Sequence, residues 1–304
     1  MNEKIPVSVV VPVKNEEQNL AHCLARLTRF AEVIVVDSRS EDRTPEIASA
    51  SGAHVVQFDW NGEYPKKRNW ILQSYKFSCR WILFLDADEL IDDAFCSELE
   101  GAIQDPRYVG YWLNYTNFFL GRPLRHGDPQ RKLALFRLGA GLYERIDEQG
   151  WSRLDMEVHE HPILEGPVGE IRARIEHNDD RGVSKFIDRH RDYAMWEARR
   201  VQALRQGGAE GRRHLTSRQR LKYDNIDKWW FAWSYFFACY IGKRGFLDGG
   251  PGFAIAFYKL WYFLTVRLLI REQNTQTVPS AALGRQVTRE SRRVCQRRRH
   301  SPNS

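Results

Sequence analysis

Two aspartates, Asp86 and Asp88, directly follow an apolar run at residues 81–85. Carboxylates two positions apart at the end of a strand can bind one hard divalent cation and leave coordination positions open for phosphate oxygens. An isolated Asp-x-Asp more often only terminates a strand. Here Asp37 closes a second apolar run and is expected in the same crevice, so we interpret the pair as a cation site that faces a phosphate ligand.

The elements that must position these acids are short apolar strands alternating with helices. The predicted strands are residues 7–11, 32–37, 54–58 and 80–85. Leucines at helical spacing predict a helix over residues 15–30 between the first two. Such alternation predicts an α/β fold with a mainly parallel mixed sheet covered by helices on both faces. Ligands of such sheets bind beyond the carboxyl ends of the strands, where residues 14–16, 37–40 and 86–89 should line one crevice.

This crevice lacks the usual phosphate-binding loops. The sequence contains neither Gly-x-Gly-x-x-Gly nor Gly-Lys-Ser/Thr. Their absence excludes a dinucleotide site and an NTPase site of the familiar kinds. The phosphates of a ligand therefore need another counter-charge, which a bridging divalent ion would supply.

Four motifs in the first ninety residues resemble those of the family 2 glycosyltransferases, which have a GT-A nucleotide-sugar domain. They are VPVKNEE at 11–17, VVDSRSED at 35–42, PKKRN at 65–69 and FLDADE at 84–89. Each motif is weak by itself, but their order and spacing follow the family pattern. The resemblance implies an inverting transfer from a nucleotide-diphosphate sugar.

The same resemblance implies roles for individual residues. Asp37 would contact the nucleobase, and Asp86 with Asp88 would hold Mg²⁺ or Mn²⁺ against the diphosphate. Lys67 and Arg68 would add positive charge near that diphosphate, although a solvated helix start explains these two residues equally well. The complete nucleotide-sugar-binding set is Pro12, Lys14, Asn15, Glu16, Asp37, Ser38, Ser40, Lys67 and Arg68.

An inverting transfer needs a carboxylate on the acceptor side, because a single in-line displacement requires the incoming hydroxyl to lose its proton. Residues 155–162 resemble the Val-His-Glu element of the subgroup that glycosylates the lipopolysaccharide inner core. We expect Glu160 to be the general base, with Glu157 as the second candidate. If this segment is extended, the two glutamates point to opposite sides, so only one can face the acceptor. His159 and His161 could form half of a zinc site, but no third ligand stands at a metal-binding spacing.

The two halves of the chain differ sharply in charge. Residues 1–180 contain 21 Lys and Arg against 30 Asp and Glu, whereas residues 181–304 contain 25 against 9. The basic second half predicts an anionic partner, either a membrane or a polynucleotide. Because no aromatic-rich groove accompanies the basic tail, we predict an anionic membrane surface and no nucleic acid.

Aromatic residues concentrate between positions 229 and 263, with 15 Phe, Trp and Tyr in 35 positions. The apolar stretch at 229–241 is too short to span a bilayer, and the stretch at 253–270 is interrupted by Lys259 and Arg267. Both predict helices that lie in the headgroup layer, where Trp and Tyr rings and long basic side chains are favoured. A buried helical hairpin packed on the catalytic domain is the alternative.

These features divide the chain into three predicted parts. A GT-A catalytic domain covers residues 1–180, with a donor half at 1–110 and an acceptor half at 111–180. A basic, aromatic helical region for membrane association covers 181–272, and a basic tail at 273–304 is predicted to be disordered. Five scattered cysteines and a start without a basic leader favour a mature protein in a reducing cytosol.

Together with the resemblance, these features predict a metal-dependent inverting glycosyltransferase. It would move a hexose, most simply glucose from UDP-glucose, to a lipid-anchored glycan such as the heptose of the lipopolysaccharide inner core. It would be bound peripherally to the cytoplasmic face of the inner membrane. Two alternatives remain: a transferase that places the sugar directly on polyprenyl phosphate and needs no hydroxyl base, and a non-catalytic membrane adaptor that keeps the fold.

Overall fold

The computed structural model describes residues 4–146, 148, 155–156, 161–178, 182–208, 212–213 and 215–276. The chain divides into two compact units. The first combines Met1–Gly182 with Cys239–Ile255, and the second combines Val183–Ala238 with Ala256–Ser304. Residues 239–255, which composition places in the C-terminal helical region, therefore cluster with the first unit.

In the described part of the chain, eleven strands form two sheets. They are β1 (Ile5–Val13), β2 (Phe30–Asp37), β3 (His54–Gln57), β4 (Trp81–Phe84), β5 (Glu89–Leu90), β6 (Gly110–Phe119), β7 (Arg122–Leu124), β8 (Arg131–Arg137), β9 (Gly141–Tyr143), β10 (Pro162–Leu164) and β11 (Val168–His177). The larger sheet has the order β3-β2-β1-β4-β8-β6-β11-β5, with β7 paired to β6. β9 and β10 form a separate antiparallel pair.

The larger sheet is mixed. β3, β2, β1 and β4 run parallel to one another, and β8 is antiparallel to both β4 and β6. β11 is again parallel to β6. The α/β fold with a mixed sheet that the sequence predicts is therefore confirmed, and the four adjacent parallel strands β1 to β4 belong to the donor half.

Helices connect the strands of the first unit and fill the C-terminal region. They are α1 (Leu20–Ala25), α2 (Thr44–Ala50), α3 (Lys67–Ser74), α4 (Asp93–Ala102), α5 (Gly182–Gln206), α6 (Ser217–Asn225), α7 (Phe231–Phe237) and α8 (Gly249–Gln276). A π-helical turn at Ala238–Gly242 and a 3₁₀ turn at Gly245–Asp248 lie between α7 and α8.

The central strand β1 anchors the parallel part of the sheet. Val9, Val10 and Val11 are completely buried. Since successive side chains of a strand point to opposite faces, β1 is covered on both sides. Burying each of these side chains stabilises the fold by roughly 1.5–3 kcal/mol. The polar loop that begins at Lys14 is thus attached to a rigid support.

The first helix is shorter than the leucine spacing predicts, because it covers Leu20–Ala25 rather than residues 15–30. The backbone amides of Asn15 and Glu16 bind Ser40 Oγ and Thr44 Oγ1 instead, both at 2.8 Å. Side-chain acceptors of this kind compete with a helical turn. They tie the loop after β1 to the loop after β2.

The second unit has a helical core of its own. Ala194 and Val201 of α5 and Val266 and Ile270 of α8 belong to this core, and each is at most 1% exposed. Leu268 of α8 is 61% exposed, so one face of the helix is buried and another is not.

Among the residues that the structure describes, one helix, Gly245–Thr275, is long and apolar enough to cross a membrane by length and composition alone. A third of its most apolar window is buried. Length and composition do not separate a spanning helix from a core helix.

Candidate active site

The loops that follow β1, β2 and β4 meet at one edge of the sheet. Val13 lies opposite Asp37 in the register of β1 and β2. The Ser38 amide donates to Val13 O at 3.1 Å, and the Leu85 amide donates to Val10 O at 3.0 Å. The sheet therefore brings the loop of Asp37 and the Asp-x-Asp loop to the two sides of β1.

The Asp37 carboxylate is held by donors from its own loop and from β3. Its residue is 1% exposed. The Ser40 amide donates to both oxygens at 3.2 Å, the Ser40 hydroxyl donates at 2.5 Å, and Gln57 Nε2 donates at 3.0 Å. Asn15 and Arg39 adopt left-handed φ angles of +57° and +55°, which cost roughly 1–2 kcal/mol each in a residue with a Cβ. The loops around Asp37 are tightly folded and hold the carboxylate in one orientation.

The remaining residues of the loops after β1 and β2 have different surroundings. Pro12 lies within β1, opposite Val36. Lys14 is exposed, and Glu16 accepts a hydrogen bond from Asn19 at 3.0 Å. Ser38 is buried, and its hydroxyl donates to Asp155. Ser38 thus links the donor loop to the start of the segment expected to supply the base.

Lys67 is a buried cation at the start of α3. Its side chain is 3% exposed, and Nζ donates to Val13 O at 3.0 Å and lies 3.3 Å from Asp155 Oδ2. Burial lowers the pKa of Lys67, and the Asp155 carboxylate opposes that effect. The solvated helix start that the sequence leaves open is therefore wrong for Lys67.

The Asp86 carboxylate lies between two cations. Arg68 NH2 is 2.9 Å from Oδ1, and Lys132 Nζ on β8 is 2.6 Å from Oδ2. Desolvation by itself would raise the pKa of Asp86, but Lys132 and Arg68 outweigh it and hold the pKa well below its ordinary value. Asp86 is therefore an anion at neutral pH, and both of its oxygens already have partners.

Lys132 also contacts Glu89, whose side chain is only 1% exposed. The Asp86 amide donates to the other Glu89 oxygen at 3.1 Å, and the Tyr115 hydroxyl donates to it at 3.4 Å. The lysine ammonium also lies 5.1 Å from the centre of the Tyr115 ring. One lysine thus joins the first acid of the Asp-x-Asp to a buried glutamate and fixes the loop after β4.

The second acid of the pair, Asp88, faces a histidine. His177, at the end of β11, has Nε2 3.5 Å from Asp88 Oδ2, and its Nδ1 is 2.9 Å from Asn117 Oδ1. Burial lowers the pKa of His177, but the hydrogen bond and charge of Asp88 outweigh it, so the pKa lies above its ordinary value. A carboxylate oxygen and an imidazole nitrogen this close are donors that one divalent cation can share. No group of three His, Cys, Asp or Glu side chains is arranged around a metal position in the described ranges.

The candidate bases Glu157 and Glu160, and the neighbouring His159, lie outside the described residues. The chain is described on both sides of them. Before them, Asp155 accepts from the loop after β2. After them, β10 pairs with β9, and the ring of Tyr143 in β9 lies 5.4 Å from the guanidinium that holds the Asp-x-Asp loop. Both flanks of the segment therefore lie beside the crevice formed by the loops after β1, β2 and β4, which we call the donor crevice.

Sequence reasoning missed Lys132 and His177 as neighbours of the acidic pair. Lys132 precedes the buried residues 133–136. That pattern indicates a strand, but it does not indicate which acids the lysine contacts. His177 closes a strand of alternating burial. Both are brought to the acids by pairing between strands that are distant in sequence, and a single sequence does not reveal that pairing.

Comparison with known proteins adds the family. Residues 8–155 match the model of "Glycosyl transferase family 2". The lipopolysaccharide core biosynthesis glycosyltransferase LpsC of Rhizobium meliloti is 29% identical over 181 residues, which cover 57% of this chain and 63% of LpsC. An uncharacterised glycosyltransferase of Rickettsia conorii is 25% identical over 260 residues, 82% of this chain and 85% of that one.

A solved structure of S. aureus TarS, residues 1–349 in complex with UDP-GlcNAc, is also similar. Its TM-score is 0.41 at 15% identity, and the match covers 89% of this chain and 92% of that one. A TM-score of this size assigns no function to this chain. The description of the fold rests on the strand order given above. The family match runs from β1 to Asp155 and includes every described residue of the donor crevice except the end of β11. Residues 8–155 therefore form a domain that matches glycosyl transferase family 2.

Proposed function

We propose that this chain is an inverting glycosyltransferase that moves glucose from UDP-glucose to a hydroxyl of a lipid-anchored glycan, the heptose of a lipopolysaccharide inner core. The observation that carries this proposal is the 2.9 Å ion pair between Arg68 and Asp86. It joins the Lys-Lys-Arg-Asn and Asp-Ala-Asp-Glu motifs in one crevice, beside the loop that holds Asp37. The similarity to LpsC supports the class of acceptor.

The donor would lie along the loops after β1, β2 and β4. An ionised carboxylate only accepts hydrogen bonds, and uracil offers one N–H donor on its pairing edge, so the fixed carboxylate of Asp37 suits a uridine nucleotide. Arg68 would then exchange Asp86 for a diphosphate oxygen, because a guanidinium binds both kinds of anion in the same two-point manner. Lys67 supplies a second positive charge near that position.

A divalent cation, Mg²⁺ or Mn²⁺, is part of the proposal. The ligand chemistry fits, because a carboxylate such as that of Asp88 suits either ion. A neutral imidazole is a common metal ligand, and His177 Nε2 lies 3.5 Å from Asp88 Oδ2, so it could add a nitrogen ligand. Asp86 would join them when Arg68 turns from its Oδ1 to the diphosphate. When bound, such an ion supplies positive charge for the departing diphosphate.

The acceptor step needs one further carboxylate, for which we propose Glu160, with Glu157 as the second candidate. The carboxylate takes the proton of the acceptor hydroxyl while that oxygen forms its bond to the anomeric carbon. The bond from the same carbon to the diphosphate oxygen breaks, and the nucleotide diphosphate leaves with the electron pair. Attack from the side opposite the leaving group inverts the configuration.

The lipid-anchored acceptor places the enzyme at a membrane, and we propose peripheral binding at the cytoplasmic face of the inner membrane. The second unit carries exposed rings that suit the headgroup layer: Trp229, Trp233 and Phe237 are 69%, 46% and 51% exposed. The basic composition of residues 181–304 adds attraction to anionic lipid.

Thermal denaturation with a set of nucleotide sugars and Mn²⁺ tests the donor, since a ligand that binds only the folded state raises its melting temperature. Among the nucleotide sugars, UDP-glucose is expected to raise the melting temperature most. In a separate activity assay, the protein is expected to transfer glucose from UDP-glucose to heptose-terminated lipopolysaccharide. The Asp88→Asn variant is expected to lose both effects. Asp93→Asn, whose side chain is 95% exposed on α4, is the matched control and should keep them. If UDP-glucose raises the melting temperature but glucose is transferred only to polyprenyl phosphate, the proposed acceptor is wrong and polyprenyl phosphate takes its place. If no nucleotide sugar raises the melting temperature, the proposed donor site is wrong.

A further inference from the structure

The segment at residues 239–255 is seated on the loop between β7 and β8. The His126 amide donates to Asp248 Oδ2 at 2.8 Å, and His126 Nδ1 lies 2.9 Å from Asp248 Oδ1. The Gly127 amide donates to Lys243 O at 3.0 Å. A Cβ at Gly245 would lie only 3.4 Å from Gly127 Cα, so the two backbones are in close contact. The segment is therefore fixed to the catalytic sheet within the first unit.

Four large apolar side chains of this segment are exposed to solvent. Ile241, Phe246, Leu247 and Phe253 are 57%, 47%, 55% and 48% exposed. Phe246 and Phe253 both pack against the Tyr240 ring, with centroid distances of 6.3 and 5.6 Å, so they belong to one patch. Clustered apolar side chains on a surface mark a place where a partner binds.

The exposed charges beside this patch are all positive. In residues 120–128 and 239–255, which the structure describes without a gap, the exposed Lys and Arg are Arg122, Arg125, Lys243 and Arg244. The two acids of these ranges, Asp128 and Asp248, have side chains only 17% and 6% exposed, because they face Lys243 and His126. An apolar patch surrounded by cations is complementary to an anionic lipid surface.

The backbone at Arg244 supports the same interpretation. Its φ of +58° lies in the left-handed region, which glycine adopts without strain and an arginine does not. Local folding therefore favours glycine at this position. What the arginine contributes is an exposed positive charge two residues before Phe246.

We propose that residues 241–253 form a lipid-binding wedge, with which the first unit itself enters the headgroup layer of an anionic bilayer. Phe246 and Leu247 enter the acyl boundary, and the four cations contact lipid phosphates. The wedge rests on the proposed function, because that function makes a membrane the partner. It adds a membrane contact on the first unit to the contact proposed for the C-terminal helices. Its attachment through His126 and Asp248 fixes how the catalytic sheet meets the lipid that carries the acceptor.

Site-specific labelling of the full chain tests insertion. In a Cys79→Ser/Cys295→Ser background, whose other cysteines are buried, an environment-sensitive fluorophore is placed at Leu247→Cys or at Leu138→Cys. Leu138 is 41% exposed in the same unit and follows the far end of β8, which makes it the matched control. With vesicles of phosphatidylglycerol and brominated phosphatidylcholine, the label at 247 is expected to shift to the blue and be quenched, and the label at 138 is not. Equal behaviour of the two labels overturns the wedge.

A second variant separates lipid binding from folding. Arg244→Gly is expected to keep or raise the melting temperature and to lower affinity for anionic vesicles about fivefold, the effect of one cation near such a surface. Arg107→Ala removes another exposed arginine of the first unit, in the segment before β6, and should leave vesicle affinity unchanged. Unchanged affinity in Arg244→Gly contradicts the role of the charge.

The same samples distinguish other outcomes. Stabilisation by UDP-glucose is measured on every variant and is expected to equal that of the wild type, so a failed donor site shows itself separately from a failed wedge. If Phe246→Ser/Leu247→Ser converts a dimer to a monomer in light scattering and leaves vesicle binding intact, the patch binds a second copy of the chain and the lipid proposal is wrong.

Discussion

The Nζ atom of Lys132 lies 2.6 Å from Asp86 Oδ2, and the same ammonium contacts Glu89. The strand β8 thereby supplies a charge that holds the pKa of Asp86 well below its ordinary value, whereas burial outweighs the same charge at Glu89 and raises the pKa of that carboxyl to about 7. The side chains of Asp86 and Glu89 are 26% and 1% exposed, so the lysine serves one acid that faces the crevice and one that does not.

Lys132→Met should destabilise the protein by about 3 kcal/mol, because removing one partner of a buried ion pair leaves the other charge uncompensated. Burial has already raised the pKa of Glu89 to about 7, and loss of the Lys132 charge raises it further, so the Glu89 carboxyl takes up a proton. Urea denaturation near neutral pH measures the free energy of unfolding. The double variant Lys132→Met/Glu89→Gln should recover part of the loss, which a mere packing defect would not allow.

The exposed pair Arg39–Asp59 is the control for that measurement, since both side chains are 65% exposed and the distance is 2.6 Å. Asp59→Asn should change the free energy of unfolding very little, because solvent screens an exposed pair. If Lys132→Met behaves like Asp59→Asn, the lysine has no structural role at the acidic loop.

Chelation should weaken donor binding. If Asp88 and His177 share a divalent ion, EDTA should lower the affinity for UDP at least about tenfold, and Asp88→Asn or His177→Ala should do the same in the presence of Mn²⁺. Isothermal titration with and without the metal measures it, with Asp93→Asn as the variant that should respond like the wild type. An affinity for UDP that is equal in EDTA and in Mn²⁺ would exclude a metal from the site.

Glu160→Gln should lower kcat about 10²- to 10⁴-fold with little effect on the KM for the donor, because a general base acts on the acceptor hydroxyl. Glu157→Gln should stay within a few-fold of the wild type. Initial rates of transfer to lipopolysaccharide with saturating donor measure both. Full turnover in both variants would favour polyprenyl phosphate as acceptor, since a phosphate is already a nucleophile.

The sequence could predict the donor side of this site because its signals are local. Asp37 and the acidic pair each follow an apolar run, and parallel strands place such positions at one edge whatever the side chains between them. Lys132 could not be found in this way, because it lies in β8, which runs antiparallel to β4. His177 could not be found either, because it ends β11, whose pairing with β6 and β5 joins positions that are distant in sequence. Their contacts depend on strand order, and a single sequence carries little information about order beyond the parallel units.

The attachment of residues 239–255 was also beyond prediction. Composition groups residues 239–255 with the aromatic helices on either side of them in the sequence. Similar composition does not tell which unit of the structure a segment packs in. The His126–Asp248 contact joins positions 122 residues apart. The glycines that allow the close approach resemble ordinary turn residues in the sequence.

Stability should depend on pH through Glu32. Burial would raise its pKa, but hydrogen bonds from Ser8, Ser78 and Tyr75 outweigh that and lower the pKa below its ordinary value. A carboxyl whose pKa is lower in the folded state stabilises the fold above its unfolded pKa, and the contribution is lost as the pH falls through the folded pKa. Glu32→Gln should therefore be less stable than the wild type near pH ~7, with a difference that begins to shrink below about pH 4.3, the ordinary pKa of a glutamate, and keeps shrinking as the pH falls through the lowered pKa.

Denaturant titrations at several pH values measure that difference. The exposed Glu46 on α2 provides the comparison, because solvent screens its charge and Glu46→Gln should change the free energy of unfolding very little. A gap between Glu32→Gln and the wild type that does not shrink in acid would show that the carboxylate is not what the hydrogen bonds stabilise.

Alkaline carbonate should release the full chain from membranes. Leu260, Val266 and Ile270 of α8 are at most 6% exposed within the second unit, so a helix that spans the bilayer would have to give up that burial. Sedimentation of membranes before and after the wash, with an integral membrane protein as the marker of retention, measures the outcome. A chain that stays with the pellet would mean that Gly245–Thr275 crosses the bilayer, and the peripheral proposal would then be wrong.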